Sequence, residues 1–94
     1  MLQEKRLYKI ADLYNEDGCR TVVKLIMTEH NTAFSYQTKT YKPNGEKDKE
    51  QRTRLNSYNE IRSSLNELIT KCKFARVYLN EENEYTDTPI ITWN

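Results

Sequence analysis

Glycine, proline and cysteine each occur only twice in this chain, and His30 is the single histidine among 94 residues. Each shortage excludes something. Two glycines, Gly18 and Gly45, cannot build a glycine-rich phosphate loop or a dinucleotide-binding turn. One histidine excludes a His-based metal cluster, and neither a nucleophile-elbow nor a metalloprotease motif occurs. Cys19 and Cys72 are too few for a disulfide scaffold and lack the paired spacing of a zinc site. They read as small, half-buried hydrophobes in a reducing compartment, with a Cys19–Cys72 bridge as the sharper alternative. No run of about 18 apolar residues exists to span a membrane. The charged stretch from Met1 to Ile10 is unlike a secretory signal. These absences predict a stand-alone cytoplasmic protein that is not an enzyme, with no cofactor, no metal and no membrane contact. A Cys19–His30 nucleophile–base pair has no geometric support across a predicted strand.

Aromatic residues are plentiful: seven tyrosines, two phenylalanines and Trp93. Each buries about 150–250 Å², so they offset a modest apolar fraction of 36% and argue against disorder. A chain of this length supports one core, and 1–94 is read as a single domain. Fifteen basic and fourteen acidic residues leave a net charge of +1, but they are unevenly spread. Residues 1–38 hold five of each sign, residues 39–76 hold ten basic and five acidic, and residues 77–94 hold four acidic and none basic.

Periodicity places the elements. Ser57 to Cys72 reads as a helix: Ser57 and Glu60 form an S-x-x-E capping box, and Ile61, Leu65, Leu68, Ile69 and Cys72 draw one apolar stripe. Arg20 to His30 is apolar on both alternating faces, which predicts a central strand covered on both sides. Ala33 to Lys42 alternates as the next strand, joined to it as an antiparallel hairpin through His30-Asn31-Thr32. Residues from about Arg6 to Tyr14 favour a strand ending at the turn Asn15-Glu16-Asp17-Gly18. Leu7, Ile10, Ala11 and Tyr14 also suit a helix capped by Gly18. A mobile charged loop is expected over about 43–55, opened by the turn Pro43-Asn44-Gly45. Phe74 to Leu79 alternates as a strand. Glu81 to Asp87 reads as an acidic connection, and Pro89 to Asn94 as an edge strand or an anchored tail. The expected fold is therefore α+β: a small antiparallel sheet of order β-β-β-α-β, with a possible C-terminal edge strand and one amphipathic helix on one face.

Two binding regions stand out. The first is basic with interleaved aromatics: Tyr36, Lys39, Tyr41, Lys42, Lys47, Lys49, Arg52, Arg54 and Arg62. Such residues follow phosphates and stack bases, although Glu46, Asp48 and Glu50 dilute the field. The second is the C-terminal set Tyr85, Ile90, Ile91 and Trp93, suited to strand addition by a partner or a second copy. The leading expectation is a small binding or inhibitory protein of the phage or mobile-element accessory (anti-defence) kind, acting on a host nuclease or other nucleic-acid-processing protein. The alternative is a small nucleic-acid-binding regulator; an enzyme ranks last. A homodimer through an edge strand or the tail is a further possibility.

Overall fold

A computed structural model of the chain describes residues 5–28, 34–55 and 59–94. Its elements are β1 (Lys5–Tyr14), β2 (Arg20–Thr28), β3 (Phe34–Tyr41), β4 (Lys47–Leu55), α1 (Glu60–Thr70), β5 (Phe74–Leu79) and β6 (Tyr85–Trp93). The strands form one antiparallel sheet in the order β4-β3-β2-β1-β5-β6. The α+β class, the β2–β3 pairing and the helix on one face of an antiparallel sheet are as expected.

The core lies between α1 and one face of the sheet. Ile61 and Leu65 of the helix meet Ile10, Ala11, Leu13, Val23, Leu25, Ala75, Val77 and Leu79, with Leu55 and Cys72 closing the ends. Strand β1 resolves its own ambiguity. Lys9 is opposite Lys24 and Ala11 is opposite Val23, so Ile10 is an extra residue in a bulge. Ile10 and Ala11 are both fully buried. Two adjacent buried residues break the period of two and mimic helical spacing. The turn after β1 closes as its residues dictate. Gly18 has φ +84°, and Asn15 Oδ1 accepts from the Asp17 and Cys19 backbone amides.

Three expectations need correction. The segment foreseen as a mobile loop over about 43–55 is mostly strand β4. Only Lys42 to Glu46 turns, with Gly45 at φ +92° and the Lys42 amide bonded to the Glu46 carbonyl at 2.8 Å. The strand was masked because Lys47 to Arg54 is exposed on both faces, so no apolar alternation marks it. The helix begins at Glu60 with Asn59 as its N-cap, and Asn59 makes no side-chain capping bond. Glu60 therefore occupies the first helical position and not the third; Ser57 lies outside the described residues, as does the connection His30-Asn31-Thr32. The acidic stretch is shorter than foreseen, since Tyr85 to Asp87 already belongs to β6. Strand β2 is central and buried on both faces as expected: α1 covers Val23 and Leu25, and on the other face, which carries no helix among the described elements, Val22 and Ile26 are 7% and 4% exposed. Cys19 and Cys72 are free thiols.

Candidate functional site

The second face of the sheet carries no helix among the described elements, and the register states which side chains occupy it. Residues directly opposite one another share a face, and successive residues alternate. Val23, Leu25, Ala75 and Val77 point at the helix, so their strand neighbours point the other way. At one end of the sheet a single row crosses all six strands: Lys47, Tyr41, Arg20, Tyr14, Phe74 and Trp93. The next row is Glu50, Lys39, Val22, Asp12, Arg76 and Ile91. Beyond it Arg52, Gln37, Lys24 and Lys9 follow, then Arg54, Ser35 and Ile26.

The charge on this face is one-sided. Among the described residues that the pairing assigns to this face, the basic ones are Lys9, Arg20, Lys24, Lys39, Lys47, Arg52, Arg54 and Arg76 and the acidic ones are Asp12 and Glu50; Asp48 and Asp87 are unpaired at the irregular parts of β4 and β6. Both assigned acids are engaged. Asp12 is 3% exposed and accepts from Lys9 Nζ at 3.0 Å and from the Arg20 guanidinium at 2.9 and 3.2 Å. That hydrogen bond, with the Asp12 charge behind it, raises Arg20 above the ordinary guanidinium value, so Arg20 stays a cation. Glu50 accepts from Lys47 Nζ at 3.1 Å and from the Gln37 amide. The Lys47 bond holds the exposed Glu50 carboxyl below its ordinary value. Lys9 sits directly opposite Lys24, an arrangement that costs stability in a sheet. Local conflict of that kind is expected where a surface serves binding.

The end row is also a band of rings. Tyr14 and Phe74 lie 5.6 Å apart between centroids, and Phe74 and Trp93 lie 4.4 Å apart. Trp93 is 71% exposed, the most exposed of the large hydrophobic residues among those described. Arg76 lies 5.7 Å over the Phe74 ring. Between the two hairpin turns at this end, a cleft is lined by Tyr14, Gly18, Arg20, Tyr41, Lys42 and Pro43. A second ring group lies beside the β5–β6 turn, where Tyr85 is 6.4 Å from both Tyr8 and Tyr78, and Lys9 Nζ is 5.3 Å from the Tyr78 centroid. The chain matches no protein-family model, no curated protein and no solved structure.

The basic patch read from the sequence is divided by the fold. Lys39, Tyr41, Lys47, Arg52 and Arg54 share the open face, and Lys42 borders the cleft. Tyr36 and Lys49 point to the helix side, where Tyr36 packs against the core. Arg62 is structural. Its guanidinium donates to Asn83 Oδ1 at 3.2 Å, to the Leu79 carbonyl at 3.3 Å and to the Asn80 carbonyl, fastening α1 to the β5–β6 turn. In the C-terminal set, Ile91 and Trp93 join the open face, Ile90 faces the helix side opposite Val77, and Tyr85 opens β6.

That segment is tied down while still exposed. It pairs with β5, and the Asn94 side-chain amide donates to the Ile69 and Cys72 carbonyls at 2.6 Å each. Sequence reasoning missed Lys9, Tyr14, Arg20, Lys24, Phe74 and Arg76. The available signal was an even spacing, four in Arg20/Lys24 and two in Lys39/Tyr41, Arg52/Arg54 and Phe74/Arg76; what was lacking was the register that aligns those pairs. Among the described residues, no three potential metal ligands gather, and no helix is long and apolar enough to cross a membrane.

Proposed function

We propose that this protein binds nucleic acid through the open face of its sheet. One observation carries the reading: among the described residues that strand pairing assigns to that face, eight are cations and two are already-paired carboxylates, while the total charge of the chain is only +1. A surface of one sign attracts a polyanion and releases its condensed counterions on contact. The geometry thus supports the regulator reading over the inhibitor of a host enzyme.

The test compares two variants of equal charge change. Arg52→Gln with Arg54→Gln removes two cations from the open face; Lys49→Gln with Lys71→Gln removes two from elsewhere. At about 50 mM salt, where phosphate contacts are strong, the first pair should weaken oligonucleotide binding at least tenfold and the second less than twofold. No retention of any nucleic acid by the unmodified protein at that salt rejects the reading.

A protein partner has one specific observation in its favour. Strand β6 is an outer edge that exposes Ile90, Ile91 and Trp93, the kind of edge that accepts a further strand. Pro89 within it limits how many ladder bonds that edge offers. Sedimentation at rising concentration tests self-pairing, and a saturable partner captured from lysate in the absence of nucleic acid would restore the inhibitor reading.

A further inference from the structure

We infer that the ligand of the open face is a single strand, with bases stacked on the row Tyr41, Arg20, Tyr14, Phe74 and Trp93 and phosphates held by the cations beside it. The inference rests on the nucleic-acid reading above and specifies its substrate class.

Three observations favour a single strand over a duplex. First, the end row offers ring faces as well as charge. Base–aromatic stacking is available only to unpaired bases, because a duplex hides their faces in its own stack. A duplex would meet this face with phosphates alone and leave Trp93, 71% exposed, and Ile91, 46% exposed, unused. Second, nothing here is shaped for a groove. Helix α1 lies across the far face, and its exposed side of Ser63, Asn66, Glu67 and Thr70 carries no cation to read bases or grip phosphates. Third, rings and cations are ordered along one line. The row crosses six strands at about 4.8 Å spacing, so it extends roughly 24 Å, and the cleft beside Tyr14, Arg20 and Tyr41 lies on it. Lys39 and Arg76 stand one row inward, where a backbone parallel to the stacked bases would run.

Trp93 is the only tryptophan, so intrinsic fluorescence reports directly on the row. The probes are oligothymidylate and oligouridylate of about 12 nucleotides, within the ~4–16-nucleotide range of such sites, and a duplex of the same length. The expected result is quenching of Trp93 by one or both single strands and binding about tenfold tighter than to the duplex. Trp93→Ala should weaken single-strand binding about 5- to 150-fold, the range of a lost base stack, while changing duplex binding less than twofold. Trp93→Phe, read by anisotropy of a labelled oligonucleotide, should restore most of the affinity. That recovery distinguishes a stacking role from damage to β6. Duplex binding equal to or tighter than single-strand binding overturns the inference and leaves the broader reading standing. So does an unchanged affinity in Trp93→Ala. Absence of binding to all three probes overturns both. The DNA and RNA arms show which sugar the face prefers, and tight binding of either supports the inference.

Discussion

Asp12 is the residue on which the open face depends for stability. It is 3% exposed on an otherwise basic surface and holds Lys9 and Arg20, whose side chains are 39% and 43% exposed. Breaking a fully buried pair costs about 3–5 kcal/mol; with both cations partly in water, Asp12→Asn should cost roughly 1–3 kcal/mol in urea unfolding. Because the variant frees two cations, single-strand affinity should rise as stability falls, and a parallel drop in both would contradict the assignment. Cys72 supplies a pH dependence. Burial pushes its thiol pKa up, with the Sγ–H donating to the Ile69 carbonyl at 3.0 Å. The folded chain therefore holds this proton more tightly than the unfolded chain. Its contribution is complete below the ordinary thiol pKa and is lost as pH rises through the folded value. Between about pH 8 and pH 10, which bracket the free thiol value of ~8.5, the unmodified protein should lose more stability than Cys72→Ala. Paired urea midpoints measure the difference.

Among the elements, α1 and β4 teach opposite lessons. The helix is written plainly in its stripe, because a face buried against a sheet must repeat at the helical period. Leu65 is fully buried on that face, and Leu65→Ala should cost about 2–5 kcal/mol while leaving the open face intact. Its polar side was harder to read. Arg62 looks like a surface cation in the sequence, yet it caps the Leu79 and Asn80 carbonyls. Arg62→Ala should destabilise the chain by about 1–2 kcal/mol, a typical cost for charged hydrogen bonds, and should leave oligonucleotide affinity unchanged. Strand β4 carried no such signature. An edge strand whose two faces both see water needs no apolar alternation, and its charges also discourage edge-to-edge aggregation. Only its pairing with β3 makes it a strand.

For the molecule as a whole, the relevant quantity is charge per face and not charge per chain. If four cations of the open face each contact a phosphate, the logarithm of affinity should fall with the logarithm of salt at a slope steeper by about 2.8 than in their absence. Neutralising Lys39, Lys47, Arg52 and Arg54 to glutamine should remove that increment. An unchanged slope, measured by anisotropy across a salt series, would take these side chains out of contact with the strand.

The sequence by itself determined the α+β class, the helix stripe and the Gly18 and Gly45 turns, because these follow from local conformational preference and from the period of burial. Tertiary structure alone decided which residues make up the proposed binding face. Which side chains share a face depends on strand register and on the bulge at Ile10, and both are settled by pairing between segments distant in the chain. Pairing sends Lys49 and Tyr36 to one side, gathers Arg20 and Lys24 with Arg52 and Arg54 on the other, and lays Trp93 against Phe74. A nearly neutral chain thereby presents one basic face, since alternation sorts charges by side while a sum along the sequence cancels them.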